Sequence, residues 1–192
     1  RLVGSEMCIR DSSISREATF AALDYAKDSG IIISYDPNFR PSLWENTEVA
    51  KEHMRKVISY ADVMKISDEE IQLMTDSEGY EEAAKKLCDK GVSIVVVTLG
   101  KEGAYVCTSK GGALVNGFTS KVVDTTGAGD AFWGAFLHKI ASSEKRLSKL
   151  DIAEISGYAR FANSAASICV EKRGAINSMP TLQSVFYRLL EV

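Results

Sequence analysis

The sequence predicts an α/β fold with a mainly parallel β-sheet flanked by helices. Short apolar runs rich in β-branched residues, the clearest at 93–98 (SIVVVT), alternate with longer segments that carry apolar residues at helical spacing. The run at 31–35 is typical of a buried parallel strand, and 62–66 is another short strand. Such alternation favours a parallel sheet whose strands are connected by helices.

The first half of the chain carries recognisable helix boundaries. Ser13 or Ser15 can cap the first helix, because a serine side chain accepts a hydrogen bond from the free N–H groups of a first turn. Gly30 ends that helix, and Asn46 or Thr47 caps the next one. The predicted elements are, in chain order, a helix over 16–29, a strand over 31–35, a helix that runs to Tyr60, a strand over 62–66 and a short helix that ends near Met74.

The second half continues the alternation and adds one hairpin. Gly91 breaks the helix before strand 93–98, and a polar, glycine-containing turn at 109–112 joins two short strands. Pro180 precedes the last helix. The predicted elements are a helix over 80–89, strand 93–98, hairpin strands over 105–108 and 113–115, a helix opened by Asp130, a long helix over 150–168 and a terminal helix over 181–190.

Composition excludes several classes of function. The chain has 192 residues, 45% of them hydrophobic and 26% charged, which suits one domain or a large part of one. A formal net charge of −3 without a basic stripe gives no footprint for nucleic acid, and no apolar run approaches the ~20 residues that span a bilayer. The four scattered cysteines favour a reducing, cytoplasmic setting, and the two isolated histidines argue against a transition-metal site.

The most informative stretch is 123–136, VDTTGAGDAFWGAF, where an extended run meets an apolar helix through a polar, glycine-rich turn. Gly127 and Gly129 allow unusual backbone angles and the close approach of a ligand, and N–H groups at a helix start favour an anion. Asp130 stands among those donors, beside a bound phosphate, where a carboxylate can act as a base. The alternative is that Asp130 merely caps the helix.

The segment DTTGAGDAFWGAF closely resembles the C-terminal signature of the ribokinase-like, or phosphofructokinase B, carbohydrate kinases. The resemblance implies a ribokinase-like fold in which Asp130 is the catalytic base and contacts the sugar. It also implies that the amides of Gly127, Ala128 and Gly129 form the anion hole, with Gly129 beside the nucleotide.

A second segment, DPNFRPSLW at 36–44, resembles the DPN-x-R-x-x-LW segment of fructokinases and their near relatives. It follows a strand, at the sheet edge where ligands bind in open α/β folds. The resemblance makes Arg40 a candidate contact near the sugar or phosphate end. A structural turn is the other interpretation for Arg40, and it is the one that we favour for Asp36 and Asn38.

The segment SDEE at 67–70 supports two interpretations. In many ribokinase-like kinases this position reads Asn-x-x-Glu, and the glutamate helps to hold the magnesium–phosphate complex through water. The resemblance therefore implies a place for Ser67 near the nucleotide and for Glu70 near Mg²⁺. Ser-x-x-Glu is also a literal capping box, and one side chain cannot make both sets of contacts at once.

Two further segments resemble parts of the family's nucleotide site. TLGKEGA at 98–104 is similar to the family's TLG-x-x-G-A turn, which implies that Thr98, Gly100 and Gly103 lie near bound ATP. The helical segment that contains Asn163 is similar to one that lines the adenine pocket. Close helix packing is the other interpretation, and it is the one that we slightly favour for each single residue of that segment.

The loop CVEKRGAINS at 169–178 resembles one that binds a monovalent cation through backbone carbonyls in many relatives, which makes K⁺ the candidate ion. The resemblance implies that the Asp and Thr of the DTT segment complete the site. The residues implied are Asp124, Thr126, Cys169, Lys172, Gly174 and Ser178.

The resemblance runs from Ile14 to the end of the chain and matches only the C-terminal part of the family. We expect residues 1–12 to be a non-native or disordered leader, and 13–192 to be the C-terminal part of one kinase domain. The first strands, the β-lid and the Gly-Gly-Asn signature are expected to be absent. Such a cut exposes a sheet edge and favours association, and the parent protein is a candidate homodimer.

The leading functional hypothesis is a kinase that uses ATP and Mg²⁺ to phosphorylate a sugar hydroxyl, with fructose and fructose 6-phosphate as substrate and product. The alternatives within the family are a 2-keto-3-deoxygluconate kinase and a ribokinase, because the missing part carries most of the distinction. A chain without that part is alternatively a non-catalytic nucleotide-binding fragment. A purely structural domain is disfavoured, since a scaffold has no need of a base at Asp130.

Overall fold

The computed structural model describes residues 2–4 and 13–191, which form two compact units. The first unit runs to Val97 and includes Cys107–Gly111. The second comprises Thr98–Val106 and the chain from Gly112 on. Within the described ranges, no helix combines the length and the hydropathy that a membrane crossing requires.

From the first helix on, strands and helices follow one another in the predicted order, and a strand that was not predicted precedes them. The strands are β1 (Leu2–Gly4), β2 (Ile32–Tyr35), β3 (Val63–Ser67), β4 (Ile94–Thr98), β5 (Gly103–Thr108) and β6 (Gly111–Asn116). The helices are α1 (Ser13–Asp28), α2 (Thr47–Val57), α3 (Ile71–Thr75), α4 (Tyr80–Asp89), α5 (Ala128–Ala141), α6 (Ile152–Cys169) and α7 (Leu182–Leu190).

The first unit is organised around parallel strands. β1 pairs with β2, with Val3 opposite Ile33, and β2 pairs with β3, with Tyr35 opposite Met64. β4 follows β3 in the strand order. β1 lies within residues 1–12, which the sequence predicted to be a leader. Residues 1 and 5–12 lie outside the described residues, so the leader stays a prediction.

The central strands are apolar because both of their faces are covered. Val63, Met64 and Ile66 of β3 have no exposed surface, and the same holds for residues 94–97 of β4. Burial on both faces is the reason that these strands lack alternating polar residues. These two short apolar runs therefore form the central layer of the first unit, and apolar residues of the surrounding helices complete its core.

The ends of α1 and α2 depend on the residues that cap them. After α1, Gly30 adopts a left-handed φ of +63°, and Ile31 N–H donates to Ala26 O (2.9 Å), which closes the helix as predicted. Asn46 caps α2, because its Oδ1 accepts a hydrogen bond from Val49 N–H (2.9 Å). The helix ends at Val57, short of the predicted end, since the following residues make tighter turns.

The long helix α6 begins later than predicted because Asp151 caps it. Asp151 Oδ1 accepts from Glu154 N–H (2.8 Å), and Asp151 N–H donates to Glu154 Oε2 (3.2 Å). These reciprocal bonds form a capping box. The helix therefore starts at Ile152 and continues through Cys169.

The predicted hairpin is longer, and its turn is tighter, than the sequence suggested. Only Ser109 and Lys110 separate β5 from β6, and so short a connection requires an antiparallel pair. Gly112 lies inside β6, where a Cβ atom would stand 2.2 Å from the hydroxyl of Tyr105. Gly112 is needed here because the side chain of Tyr105 packs across it. A residue type that is common in turns therefore lies inside a strand.

In the second unit, α7 packs against α6. Phe161, Ala165 and Ile168 of α6 form an apolar cluster with Val185 of α7. Ser164 Oγ donates to Val185 O (3.0 Å). Around this cluster Arg188 donates to Ser167 Oγ (3.1 Å) and to both carboxylate oxygens of Glu171 (3.0 and 2.9 Å).

Candidate active site

The polar turn before α5 is held by the carbonyl at the end of α6. Val123 N–H and Asp124 N–H both donate to Val170 O, at 2.8 and 3.2 Å. Thr126 N–H then donates to Asp124 Oδ1 (2.9 Å). These bonds bend the extended segment into the turn from which the helix starts.

Gly127 is required at the start of α5 for two separate reasons. It occupies the cap position with φ +83° and ψ −1°, a left-handed conformation that side chains disfavour. A Cβ atom on it would also lie 3.0 Å from both Cα and Cβ of Ala175, and 3.4 Å from Cε of Met179. A side chain at this position would therefore require the 169–178 loop to shift by a few tenths of an ångström at Ala175.

The first turn of α5 presents backbone donors without partners. Ala128 N–H donates to Thr125 O (3.2 Å), whereas in the part of the chain that the structure describes no acceptor faces the N–H groups of Gly129 and Asp130. Unpaired N–H groups at a helix N-terminus attract anions. Of the amides predicted to form an anion hole, Gly129 is available and Ala128 is already engaged.

Asp130 lies in the first turn of α5 and does not open the helix. The helix begins at Ala128, before the predicted start, because Gly127 takes the cap position. The Asp130 side chain is exposed, and α5 has no side-chain cap hydrogen bond. The interpretation of Asp130 as the cap is therefore wrong, and Asp130 shares the first turn of α5 with the unpaired donors.

The predicted cation residues are joined by a chain of hydrogen bonds. Gly174 N–H donates to Asp124 Oδ2 (3.0 Å), and the donors from Gly174 and then Thr126 lower the pKa of Asp124 to about 2. Cys169 Sγ lies 3.1 Å from Ser178 Oγ and 3.9 Å from Thr126 O. Lys172 N–H donates to Cys169 O (3.3 Å). The structure thus brings together all the residues that the resemblance implied.

Metal-binding side chains do not cluster there. Within residues 2–4 and 13–191, no group of three or more His, Cys, Asp or Glu side chains could hold a metal ion. The contacts that the structure gives to Asp124, Cys169 and Ser178 are hydrogen bonds within the protein. A monovalent cation at this loop therefore stays a prediction.

A cavity of about 670 Å³ lies in the same unit. Its wall includes Gly100, Thr125, Ala128, Asn163, Ser167 and Val170, together with the 117–120 segment. This volume lies within the range of small-molecule and cofactor pockets. Among the predicted nucleotide residues, Gly100 and Asn163 line the cavity, and Thr98, Gly103 and Gly129 do not.

Gly103 has a structural role at the base of the hairpin. Its φ is +107°, and a Cβ atom on it would stand 2.1 Å from Val115 O. Leu99 N–H donates to Gly103 O (2.9 Å) and so closes the turn that carries Gly100. Gly103 therefore shapes the cavity wall without lining it.

The remaining predicted residues belong to the first unit. Glu70 is buried, and its carboxylate accepts from Phe39 N–H (2.7 Å), Ser67 N–H (2.8 Å) and Ser67 Oγ (3.0 Å). The capping interpretation therefore describes its contacts in this structure. Arg40 is exposed and donates to Phe39 O (3.2 Å), so Phe39 connects the two residues.

One charged contact in this unit was not foreseen from the sequence. Lys65 Nζ lies 2.5 Å from Asp36 Oδ2, and both side chains are buried. Asp36 follows β2, and Lys65 interrupts the apolar run of β3. A lysine in that apolar run was the feature of the sequence that could have indicated a buried ion pair. The structural role favoured for Asp36 is therefore to pair with a lysine on the neighbouring strand.

The chain resembles known proteins along most of its length. The model of a family described as "pfkB family carbohydrate kinase" matches residues 8–182. Fructokinase-2 of Solanum habrochaites is 40% identical over 167 residues, which cover 86% of this chain and 50% of that protein. The chain thus spans about half the length of the curated relatives it matches.

Solved structures show the same fold. The fructokinase of Vibrio cholerae O395, with fructose, ADP and calcium bound, matches with a TM-score of 0.88 and 32% identity, covering 98% of this chain and 59% of that one. The fructokinase of Xylella fastidiosa with bound ATP matches with a TM-score of 0.89 and 28% identity, covering 99% and 61%. The predicted ribokinase-like α/β fold is confirmed.

Proposed function

The chain belongs to the pfkB family of carbohydrate kinases, and from that premise we propose that it carries the phosphoryl-transfer site of an ATP-dependent fructokinase. Because the chain spans about half of its relatives, the activity of the whole protein is itself part of the proposal. Three buried free thiols, Cys88, Cys107 and Cys169, support a reducing compartment such as the cytoplasm.

The observation that carries the proposal is the juxtaposition of Asp130 with unpaired N–H groups at the start of α5. In the proposed step, the Asp130 carboxylate takes the proton from a primary hydroxyl of the sugar. The hydroxyl oxygen then forms a bond to the γ-phosphorus of ATP, and the bond from that phosphorus to the β–γ bridging oxygen breaks, releasing ADP. The N–H groups would stabilise the charge that develops on the transferred group.

We assign the cavity that Gly100 and Asn163 line to the nucleotide. Its volume supports this assignment, and so does the fact that Thr125 and Ala128, which flank Gly127, form part of its wall. One end of a bound nucleotide would then reach the donors of α5. The resemblance also implies that Thr98 and Gly103 lie near ATP. In the proposed site these two residues would act by shaping the turn that holds Gly100.

The ions have separate proposed sites. The bonded set around Asp124, Gly174 and Ser178 supports a K⁺ site, in which the ion would fix the turn before α5. Mg²⁺ neutralises phosphate charge when it is bound, and Glu70 would hold it through water. That contact would require Glu70 to release one of its present donors from Ser67 or Phe39.

Fructose is the proposed sugar because the named relatives are fructokinases and because Arg40 lies in a fructokinase-like segment. A 2-keto-3-deoxygluconate kinase or a ribokinase remains the alternative. The other alternative, a nucleotide-binding chain without catalysis, predicts ATP binding without turnover.

The test is a coupled ADP-release assay on the 192-residue chain with ATP, Mg²⁺, K⁺ and each of the three sugars. Fructose-dependent turnover supports the proposal, and turnover with another sugar only would replace fructose. Asp130→Asn is expected to lower kcat by several orders of magnitude and to leave ATP binding nearly unchanged. Glu81→Gln is the matched control, since Glu81 also lies exposed in a first turn, that of α4. Equal activity of Asp130→Asn and this control would refute the assignment of the base, and ATP binding without any turnover would favour the non-catalytic alternative.

A further inference from the structure

Two cysteine side chains of the first unit contact each other away from the candidate active site. Cys88 lies in the last turn of α4, and Cys107 lies near the end of β5. A hydrogen bond joins their thiol groups. Each residue keeps a small exposed surface, 7% for Cys88 and 5% for Cys107. A small molecule from solvent therefore has access to two sulfur atoms that already lie side by side.

The hydrogen bond makes the two thiols chemically different. The contact with Cys107, and then burial, raise the pKa of Cys88, so Cys88 keeps its proton and donates it. Accepting that hydrogen bond lowers the pKa of Cys107, although burial and Asp89 oppose this effect, and the ammonium group of Lys85 supports it. Because the thiolate is the reactive form of cysteine, Cys107 is the thiol of the pair that attacks an oxidant first.

Cys169, in the second unit, is a third free thiol and provides a comparison. It has no exposed surface, and its Sγ lies 3.1 Å from a hydroxyl oxygen, that of Ser178. A hydroxyl cannot form a disulfide with an oxidised sulfur. Within the described residues, the contact between two thiols therefore distinguishes Cys88 and Cys107 from Cys169.

We propose that Cys88 and Cys107 form a site of reversible oxidation, at which hydrogen peroxide converts the two thiols into a disulfide between α4 and β5. In the first step the Cys107 thiolate attacks one oxygen of the peroxide, the O–O bond breaks, and the departing hydroxide takes up a proton to become water. Cys107 is then a sulfenic acid.

In the second step the Cys88 sulfur, having lost its proton, attacks the Cys107 sulfur. The S–S bond forms and the S–O bond breaks, and the departing hydroxide takes the Cys88 proton as a second water. The two thiols are thus oxidised while one peroxide is reduced to two waters. Because a hydrogen bond already joins the thiols, the sulfur atoms need only a small side-chain rotation to reach bonding distance.

This inference does not depend on the proposed kinase reaction. It is compatible with the reducing compartment that the free thiols support, since disulfides that form in such a compartment are transient and respond to oxidants. A thiol reductant reverses the bond by exchange.

The first test treats the unmodified, folded chain with hydrogen peroxide, blocks the remaining thiols by alkylation and maps the tryptic peptides by mass. Since trypsin cleaves after lysine, the disulfide is expected to join peptides 87–90 and 102–110. It is expected to form about tenfold faster than Cys169 is oxidised, and dithiothreitol is expected to separate the peptides. The inference is overturned if the two peptides stay unlinked, if either thiol pairs with another cysteine instead, or if Cys169 is oxidised at the same rate.

The second test separates the two steps. In Cys88→Ser the sulfenic acid at Cys107 has no thiol to react with, so dimedone, which labels sulfenic acids, is expected to add its mass to peptide 102–110. In Cys107→Ser the first step is lost, and Cys88 is expected to stay reduced at the same peroxide dose. Cys169→Ser is the matched control, because it removes a buried thiol outside the pair and should keep the link.

A dimedone label on Cys88 in Cys107→Ser, together with none on Cys107 in Cys88→Ser, would contradict the order of the two steps. Loss of the link in Cys169→Ser would contradict the assignment of the pair. The measurement on the unmodified chain requires no substitution, so it decides the inference if a variant does not fold.

Discussion

Replacement of Gly127 by alanine tests the geometry of the turn before α5 most directly. The substitution adds a single carbon atom at a position with φ +83°. That atom would lie 3.0 Å from Cα and from Cβ of Ala175. The Ala175 contact involves backbone, which cannot rotate away as the end of a long side chain can.

The expected loss of stability has two parts. A residue other than glycine in the left-handed region costs about 1–2 kcal/mol. Overpacking against a well-packed neighbour adds about 1–3 kcal/mol, and the short contact here favours the lower half of that range. We therefore expect a loss of about 2–4 kcal/mol, which lowers the Tm of a domain of this size by roughly 4–16 °C.

Thermal unfolding followed by circular dichroism measures this loss. The matched control is Gly134→Ala in the same helix, where a Cβ atom meets nothing within 4 Å. That substitution is expected to stabilise the helix by about 0.5–1 kcal/mol, because alanine favours helix interiors. If Gly127→Ala raised Tm as the control does, the close approach to Ala175 and the requirement for a left-handed conformation would both be refuted.

Two further predictions concern charged groups. The Gly174 N–H, the Thr126 hydroxyl and the Thr126 N–H lower the pKa of Asp124 from 3.8 to about 2. Asp124 therefore contributes stability above its unfolded-state pKa and loses that contribution as the pH falls through about 2. Chemical denaturation at neutral and at acidic pH should therefore show a smaller loss on acidification for Asp124→Asn than for the wild type, and equal losses would exclude the contribution. Lys65→Met is expected to cost about 3–5 kcal/mol in urea unfolding, because it removes the Lys65 cation from its ion pair with the buried Asp36 carboxylate. The double variant with Asp36→Leu should recover part of that loss, and an equally unstable double variant would show that packing, and not charge, dominates at this position.

Local patterns in the sequence were sufficient to predict most of the fold. The apolar runs identified the buried strands. The cap of α2 at Asn46 and the end of α1 at Gly30 could be predicted because each residue acts on backbone groups within a few positions of itself. The start of α6 was misplaced although its signal was present, since Asp151 and Glu154 have the spacing of a capping box. The start of α5 was misplaced because glycine took the cap position.

Features of the site that depend on distant residues could not be predicted. Gly127 was recognised as flexible, but nothing local shows that Ala175 limits the space around it. The partner of Lys65 lies on another strand, and a lysine in an apolar run does not reveal its counter-ion. The bonds from Asn163 to the end of β6 likewise join segments that are far apart in the chain. Tertiary contacts of this kind are set by the assembled fold and not by short-range pattern.

The helix α6 is the common attachment for the surrounding segments of the second unit. Asn163 holds the end of β6, Ser164 and Ser167 hold α7, and Val170 O holds the turn before α5. These attachments recur at intervals of about one turn, so the helix cannot fray or slide along its axis without breaking several of them together. Its amide protons should consequently exchange with solvent only when the whole unit opens, which makes α6 the slowest-exchanging segment of that unit.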